Sequence, residues 1–169
     1  MLAHLRMFAG YNTWANALVY DHAAKLGDAD YRADRGAFFK SIHGTLNHLL
    51  VTDRIWMQRF TGEGETTQRL DAILHESFDD LRTARRKEDA RIESFIENLD
   101  EERLTRTISY RAISKPAQVE QRLDAALAHF FNHQTHHRGQ VHGLLTSLTG
   151  DGPVLDLAAY QRQIGLSRT

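Results

Sequence analysis

The sequence predicts an all-α protein: a four-helix bundle with a short extended connection before the last long helix and a short C-terminal helix. Apolar residues recur at helical spacing over long stretches, only two prolines interrupt the chain, and one ragged segment separates the helical patterns. A chain of 169 residues with 41% hydrophobic content can bury one core without disulfide bonds. We therefore expect a single domain over residues 1–169.

The first two helices are defined by apolar stripes with recognisable ends. The first stripe is expected to end at Gly27, where a glycine followed by aspartates is a typical stop. The second stripe begins near Phe38 and reaches Phe60, just before the glycine-rich stretch that starts at Thr61. The predicted helices are residues 2–26 and 37–60.

A third helix is predicted from Leu70 to Leu99, with Thr66 or Thr67 as its cap and a charged, solvated middle between Arg82 and Arg91. The segment 103–114 is rich in strand-favouring residues, so we expect it to be extended. The remaining predictions are a long helix over 117–148 after Pro116, a loop over 149–153 and a short helix over 155–164. The four long helices are expected to form an antiparallel bundle, in which metal sites are built from inward-facing side chains.

Composition excludes several classes of partner and site. The net charge is −1, from 21 basic and 22 acidic residues, and the basic run Arg85–Lys87 is followed at once by acidic residues. A nucleic-acid partner is therefore not expected. No stretch approaches the 18 apolar residues of a spanning helix, and the first residues lack a signal-peptide pattern, so we expect a cytoplasmic protein without a membrane partner. Because the chain has no cysteine, histidine and carboxylate are the remaining metal ligands.

Four of the ten histidines lie between His129 and His137, within the last long predicted helix. His133 and His137 are four residues apart, so they share one helix face, and that face overlaps the apolar one. His48 on the second predicted helix is the third candidate ligand. Three imidazoles would leave one tetrahedral position open, which is typical of catalytic rather than structural zinc sites.

The alternative is an ordinary core of hydrogen-bonded histidines. Ten histidines in 169 residues produce pairs at this spacing by chance. The apolar surroundings favour a ligand role, because a buried imidazole without a partner costs roughly 1–3 kcal/mol.

Several other residues have both a functional and a structural interpretation. The candidate catalytic residues are His129, His136 and Asp53; the histidines could also support the ligands, and Asp53 could equally be a buried salt-bridge partner. Arg138 is interpreted as structural, with Gly139 allowing close helix approach. Asn12 and Asn16 share one face of the first predicted helix and could reach the pocket, a partner subunit or loop backbone groups. The other histidines are expected to be surface or hydrogen-bonded core residues: His4, His22, His43, His75 and His142.

Three stretches of the sequence together resemble the DinB family: His129–His142, with the order Asn-His-Gln-Thr-His-His-Arg-Gly-Gln, His48 with Asp53 and Trp56, and Tyr11–Asn16. The resemblance covers nearly the whole chain. It implies a four-helix bundle, often a homodimer, that holds zinc or nickel through His48, His133 and His137. It also implies relatives that use a low-molecular-weight thiol as a cosubstrate in transfer and isomerisation reactions.

Three functions follow as hypotheses. The first is a metal-dependent enzyme of thiol-dependent transfer, isomerisation or hydrolysis acting on a small molecule. The second is a noncatalytic bundle that binds a metal or a small molecule. The third is a structural dimerisation bundle, for which no tightly held metal is expected.

Overall fold

The structure, a computed structural model, describes residues 1–167, so the last two residues of the domain predicted over 1–169 lie outside the described part. Four long helices form the bundle, which confirms the predicted all-α fold class. The elements are α1 (Leu2–Ala23), α2 (Asp28–Arg32), α3 (Ile42–Thr61), α4 (Phe78–Glu97), α5 (Glu101–Thr105), β1 (Thr107–Arg111), β2 (Gln118–Arg122), α6 (Leu123–Thr149) and α7 (Leu157–Gln163). Among the described residues, no helix is both long and apolar enough to cross a membrane.

The four long helices form a closed ring in which α1 packs on α4 and α6, and α3 packs on the same two helices. Two separate apolar clusters fill the two ends of the bundle. The first cluster takes residues from the N-terminal halves of α1 and α6 and the C-terminal halves of α3 and α4, including Ala9, Trp56, Ile92 and Phe130. The second takes residues from the opposite halves, including Val19, Leu46, Leu81 and Val141.

The cluster membership fixes the helix directions. Because the N-terminal halves of α3 and α4 share one cluster, these two helices run the same way, and α1 and α6 run the opposite way. The prediction of a simple antiparallel bundle is therefore wrong. The chain between Thr61 and Phe78 must return along the bundle for about 30 Å, the length of a 20-residue helix.

This returning segment replaces the first part of the third predicted helix. The helix begins only at Phe78, where the Ser77 side chain accepts a hydrogen bond from the Asp80 amide, rather than at Thr66 or Thr67. Leu70 and Leu74 have helical spacing, but the backbone amides of Leu74 and His75 donate to the Asn47 side chain on α3. A tertiary contact has therefore taken the place of a helix turn.

Two other helix starts also differ from the prediction. Helix α3 starts at Ile42 rather than 37, because Ser41 caps it through the Gly44 amide, and Phe38 is 82% exposed. Helix α6 starts at Leu123 rather than 117, because residues 118–122 pair antiparallel with β1. The extended segment predicted over 103–114 includes β1, whereas α2 and α5 are short helices that the apolar pattern did not indicate.

A layer of polar side chains separates the two apolar clusters. Each long helix contributes to it at the midpoint between its two apolar segments. In the charged middle of α4, Arg86 and Lys87 are exposed as predicted, but Arg85, Glu88 and Asp89 are buried rather than solvated. The Arg85 guanidinium lies between Asp53, at 2.6 Å, and Asp89, at 3.0 Å. The other members of the layer are Asn12, Asn16, Gln134 and Arg138.

Candidate metal centre

Three histidine side chains from two helices meet beside this polar layer. His48 projects from α3, and His133 and His137 project from consecutive turns of α6. One ring nitrogen of each lies within 4.8 Å of one ring nitrogen of the others. The structure thus brings together the three residues that the sequence singles out as candidate ligands.

The His48 ring is held by contacts on two sides. Its Nδ1 lies 2.7 Å from the Leu70 carbonyl oxygen. Since a carbonyl only accepts, Nδ1 carries the proton and Nε2 presents a lone pair. Phe39 stacks on the ring at a centroid distance of 3.6 Å. Nε2 is buried and has no hydrogen-bond partner within residues 1–167. This ring orientation therefore leaves its lone pair available to bind a metal ion.

His137 is oriented in the same way by its own helix. Its Nδ1 lies 2.8 Å from the Gln140 side-chain oxygen, one turn further along α6. The amide nitrogen of Gln140 lies 3.2 Å from Nε2 of His136, which leaves the amide oxygen facing His137. Nδ1 of His137 therefore donates to the amide, and its Nε2 is available as a ligand.

Burial keeps the three imidazoles neutral. Burial, with a smaller contribution from the neighbouring histidines, lowers the pKa of His48 to about 4 and the pKa of His133 to about 3. Burial also lowers the pKa of His137, against the hydrogen bond to Gln140. Neutral imidazole is the form that binds metal, so near pH 7 the cluster needs no deprotonation.

The residues present fit a divalent ion. Metal–nitrogen bonds of about 2.0–2.1 Å in a tetrahedral site require ligand nitrogens about 3.3 Å apart, and the observed limit of 4.8 Å is within small side-chain movements of that value. The unpartnered buried Nε2 of His48 is a second sign of fit, because leaving such an atom unsatisfied costs free energy.

The cluster lies at one end of a cleft with a volume of about 320 Å³. His48 and His133 contribute to its wall, and Trp56 and Tyr110 provide aromatic surface. A small molecule in the cleft would therefore reach the two histidines directly. The other lining residues are Thr52, Ile55, Arg59, Leu70, Ala112, Ile113, Ser114 and His129.

The three catalytic candidates occupy different places. His129 lines the cleft, with its ring centroid 5.9 Å from that of His133. His136 is exposed on the outer side of α6 and contacts His137 and Gln140. Asp53 is 1% exposed and accepts hydrogen bonds from Arg85 and Gln134, which is the geometry of the alternative interpretation as a buried ion-pair partner.

The positions of Asn12, Asn16 and Gly139 decide how these residues are interpreted. Asn12 and Asn16 donate to Asp89 and accept from Arg138, so they belong to the buried layer and not to the cleft. A Cβ built on Gly139 would meet no atom of residues 1–167 within 4 Å, so the interpretation of this glycine as a close-approach residue is wrong.

Sequence reasoning missed the supports of His48. The Leu70 carbonyl comes from the segment after α3 and Phe39 from the turn before it, so no local pattern marks either contact. Gln140 carried a detectable signal, because it lies one turn after His137 on the same helix face.

Comparison with known proteins decides the family. The sequence model of the DinB family matches residues 1–164. The chain belongs to the DinB family. A curated relative, the Protein DinB of Bacillus subtilis strain 168, is 26% identical over 144 residues, which cover 80% of each chain.

A crystal structure of a DinB-like protein from Bacillus subtilis shares the fold. It superposes with a TM-score of 0.63 over 88% of this chain and 97% of that one, at 16% sequence identity. The DinB fold of this chain is thus supported by both sequence and structure.

Proposed function

We propose that this DinB-family chain is a metal-dependent enzyme whose divalent ion, zinc or nickel, is held by His48, His133 and His137. Its reaction on a small molecule is thiol-dependent transfer or isomerisation, or hydrolysis. The observation that carries the proposal is the convergence of three neutral imidazoles at one end of an open cleft. The family resemblance favours the thiol-dependent reactions.

His48, His133 and His137 would hold the ion, which would supply Lewis-acid chemistry when bound by lowering the pKa of a water molecule or a thiol, or by polarising a carbonyl group. The protein's own groups orient the ligands. Leu70 and Gln140 fix which nitrogen of His48 and His137 faces the ion, and Phe39 fixes the ring plane of His48.

His129 is the best-placed candidate to accept a proton. It lines the cleft, and burial together with the charge of Arg59 lowers its pKa, so its imidazole is neutral and able to act as a base near pH 7. His136 is placed on the outside, and Asp53 is engaged with Arg85, so neither has comparable access to a molecule in the cleft.

The noncatalytic alternative uses the same ligands and cleft, with the ion serving stability or ligand binding. It differs from the enzyme in turnover alone. The homodimer and the cytoplasmic location stay predictions of the sequence.

Metal content tests the first half of the proposal. Protein purified without a polyhistidine tag and reconstituted with zinc or nickel is expected to hold about one ion per chain by elemental analysis. His133→Ala should lose this ion, because a ligand is removed, whereas His142→Ala on the same helix should keep it. Equal metal content in the two variants would show that the cluster is not the site.

Turnover tests the second half. The metal-loaded protein and its His133→Ala variant are incubated with glutathione, bacillithiol or mycothiol and a panel of electrophiles. Product formation that depends on His133 supports the enzyme. If the two proteins form equal amounts of product, the noncatalytic alternative replaces it.

A further inference from the structure

One arginine in the cleft has no acidic partner. Arg59 lies in the last turn of α3 and is half-buried. Its guanidinium carbon lies 4.5 Å and 4.2 Å from the ring centroids of Trp56 and Tyr110, beside the corner where these two rings meet edge to face. One of its terminal nitrogens donates a 3.3 Å hydrogen bond to the Arg111 carbonyl oxygen. Within residues 1–167, no carboxylate lies within salt-bridge distance of it, and its other N–H groups meet no protein acceptor.

The described walls of the two cavities beside Arg59 carry no acidic side chain. The residues described along the cleft that reaches His48 and His133 include no aspartate or glutamate. A neighbouring cavity of about 540 Å³ shares Ile55, Arg59, Tyr110 and Ile113 with that cleft, and its described wall also lacks acidic residues. Arg59 therefore lies at the junction of the two cavities. A half-buried guanidinium without a counter-charge has lost part of its hydration, which lowers its pKa, so an anion from solution would be favoured there.

The two aromatic rings hold the guanidinium in place. Both rings contact the guanidinium from one side, and its hydrogen bond to the Arg111 carbonyl oxygen uses one terminal nitrogen, so the edge that points away from the rings keeps N–H donors for a ligand. A carboxylate matches that edge, because two oxygens can accept two parallel N–H groups. The apolar walls around it suit the carbon skeleton of a small organic acid.

We propose that Arg59 is the carboxylate-binding residue of the cleft, and that the substrate or cosubstrate of this protein is a small organic acid whose reactive group reaches the histidine cluster. The inference rests on the proposed function for the reaction, but the anion subsite is defined by Arg59 and its two aromatic neighbours. Arg59 would select and orient the molecule without taking part in bond making.

The test compares benzoate with benzamide, its neutral isostere, by isothermal titration calorimetry on metal-free and zinc-loaded protein. Benzoate is expected to bind more tightly than benzamide in both. Arg59→Gln should weaken benzoate binding by about tenfold or more and benzamide binding by much less, because only the carboxylate has a charge and two equivalent oxygens to match the guanidinium. Arg59→Lys should keep part of the preference for benzoate, because the ammonium group keeps the positive charge but lacks the two parallel N–H donors of the guanidinium.

Arg103→Gln is the matched control, because Arg103 also packs on an aromatic ring, that of Phe95, but does not line the cleft. It should keep the full preference for benzoate. The proposal is overturned if the wild-type protein shows no preference, if Arg59→Gln retains it, or if benzoate binds only with zinc present and regardless of Arg59. Failure of the metal site is a separate result, seen as a lack of zinc uptake while the benzoate preference of the metal-free protein persists.

Discussion

At the scale of single residues, the site depends on which nitrogen of each histidine is free. Nδ1 of His48 donates a hydrogen bond to the Leu70 carbonyl oxygen, and Nδ1 of His137 donates one to the Gln140 side-chain oxygen. The free Nε2 atoms then face the cluster. This division of roles is typical of metal-binding histidines, in which a hydrogen bond at the far nitrogen sets the tautomer.

Gln140 is the support that can be removed most cleanly. Gln140→Leu keeps the helix and much of the side-chain volume but takes the acceptor from His137. Because losing such a partner typically costs 10–100-fold in metal affinity, we expect a loss of that order for zinc. Competition with a chromophoric chelator measures it. Thr146→Leu on the same helix, far from the cluster in sequence, should leave zinc affinity unchanged; an equal loss in both variants would refute the role of Gln140.

The pKa values of the buried histidines predict a pH-dependent stability of the metal-free protein. An unfolded histidine takes up a proton below about pH 6.5, whereas His48 stays neutral in the folded state until about pH 4. The unfolded state therefore binds more protons between these values, and the free energy of unfolding contributed by His48 falls as the pH drops from about 6.5 to about 4.

Urea denaturation of the metal-free wild type and of His48→Leu at pH 7, 6, 5 and 4 measures this contribution. Asp89, whose pKa burial raises to about 6, acts in the opposite direction, so the difference between the two proteins is the informative quantity. The variant should lose less stability on acidification than the wild type. Parallel pH profiles would show that His48 is not held neutral.

At the scale of elements, the sequence predicted the long helices better than the segments between them. The apolar stripes of α1 and α6 carry their own periodicity, which local spacing reveals. Leu70 and Leu74 have helical spacing, but residues 62–77 do not form the predicted helix, because the Asn47 side chain accepts hydrogen bonds from backbone amides of this segment. The charged middle of α4 misleads as well, because its partner Asp53 is remote in sequence. In both cases the deciding contact is tertiary, so no local pattern could reveal it.

The same explanation applies to the candidate site. The clustering of His48, His133 and His137 could be predicted from one helical spacing and one inward-facing histidine. Arg59 could not be singled out, because its aromatic neighbour Tyr110 comes from a strand 51 positions later in the numbering. Cleft walls made from separate elements are invisible to a search for motifs.

Gly44 lets the first turn of α3 pack against the turn that carries Phe39, the residue that stacks on His48. A Cβ at this position would collide with the Phe39 carbonyl oxygen, so the turn that carries Phe39 can lie against the first turn of α3 only because residue 44 has no side chain. Gly44→Ala should displace Phe39 from the His48 ring. We expect lower zinc affinity and a loss of stability, despite the better helix propensity of alanine.

Gly139→Ala is the matched control, because an added Cβ meets no atom within 4 Å there. It should stabilise α6 by roughly 0.5–1 kcal/mol and leave zinc affinity unchanged. Urea denaturation and chelator competition on both variants provide the comparison. Stabilisation of the protein by both substitutions would contradict the proposed packing of Phe39.

At the scale of the whole molecule, the polar layer joins all four long helices between the two apolar clusters. Asp53 on α3 and Asp89 on α4 flank Arg85, and Asn12 on α1 bonds both Asp89 and Arg138 of α6. The histidine cluster occupies neighbouring positions on α3 and α6. The layer therefore sets the register of the two helices that supply the candidate ligands.

Removing Asp53 tests whether this residue is structural or chemical. Asp53→Ala leaves the buried Arg85 with less compensation, and breaking such a pair typically costs 3–5 kcal/mol. Asp21→Ala, which removes the exposed partner of Arg82, should cost no more than about 1 kcal/mol. At a temperature where Asp53→Ala is still folded, we expect it to bind zinc at close to the wild-type stoichiometry. Unfolding curves and elemental analysis give the two readouts. If Asp53→Ala kept wild-type stability but lost turnover, Asp53 would belong to the reaction, and the ion pair with Arg85 would not be what holds the layer together.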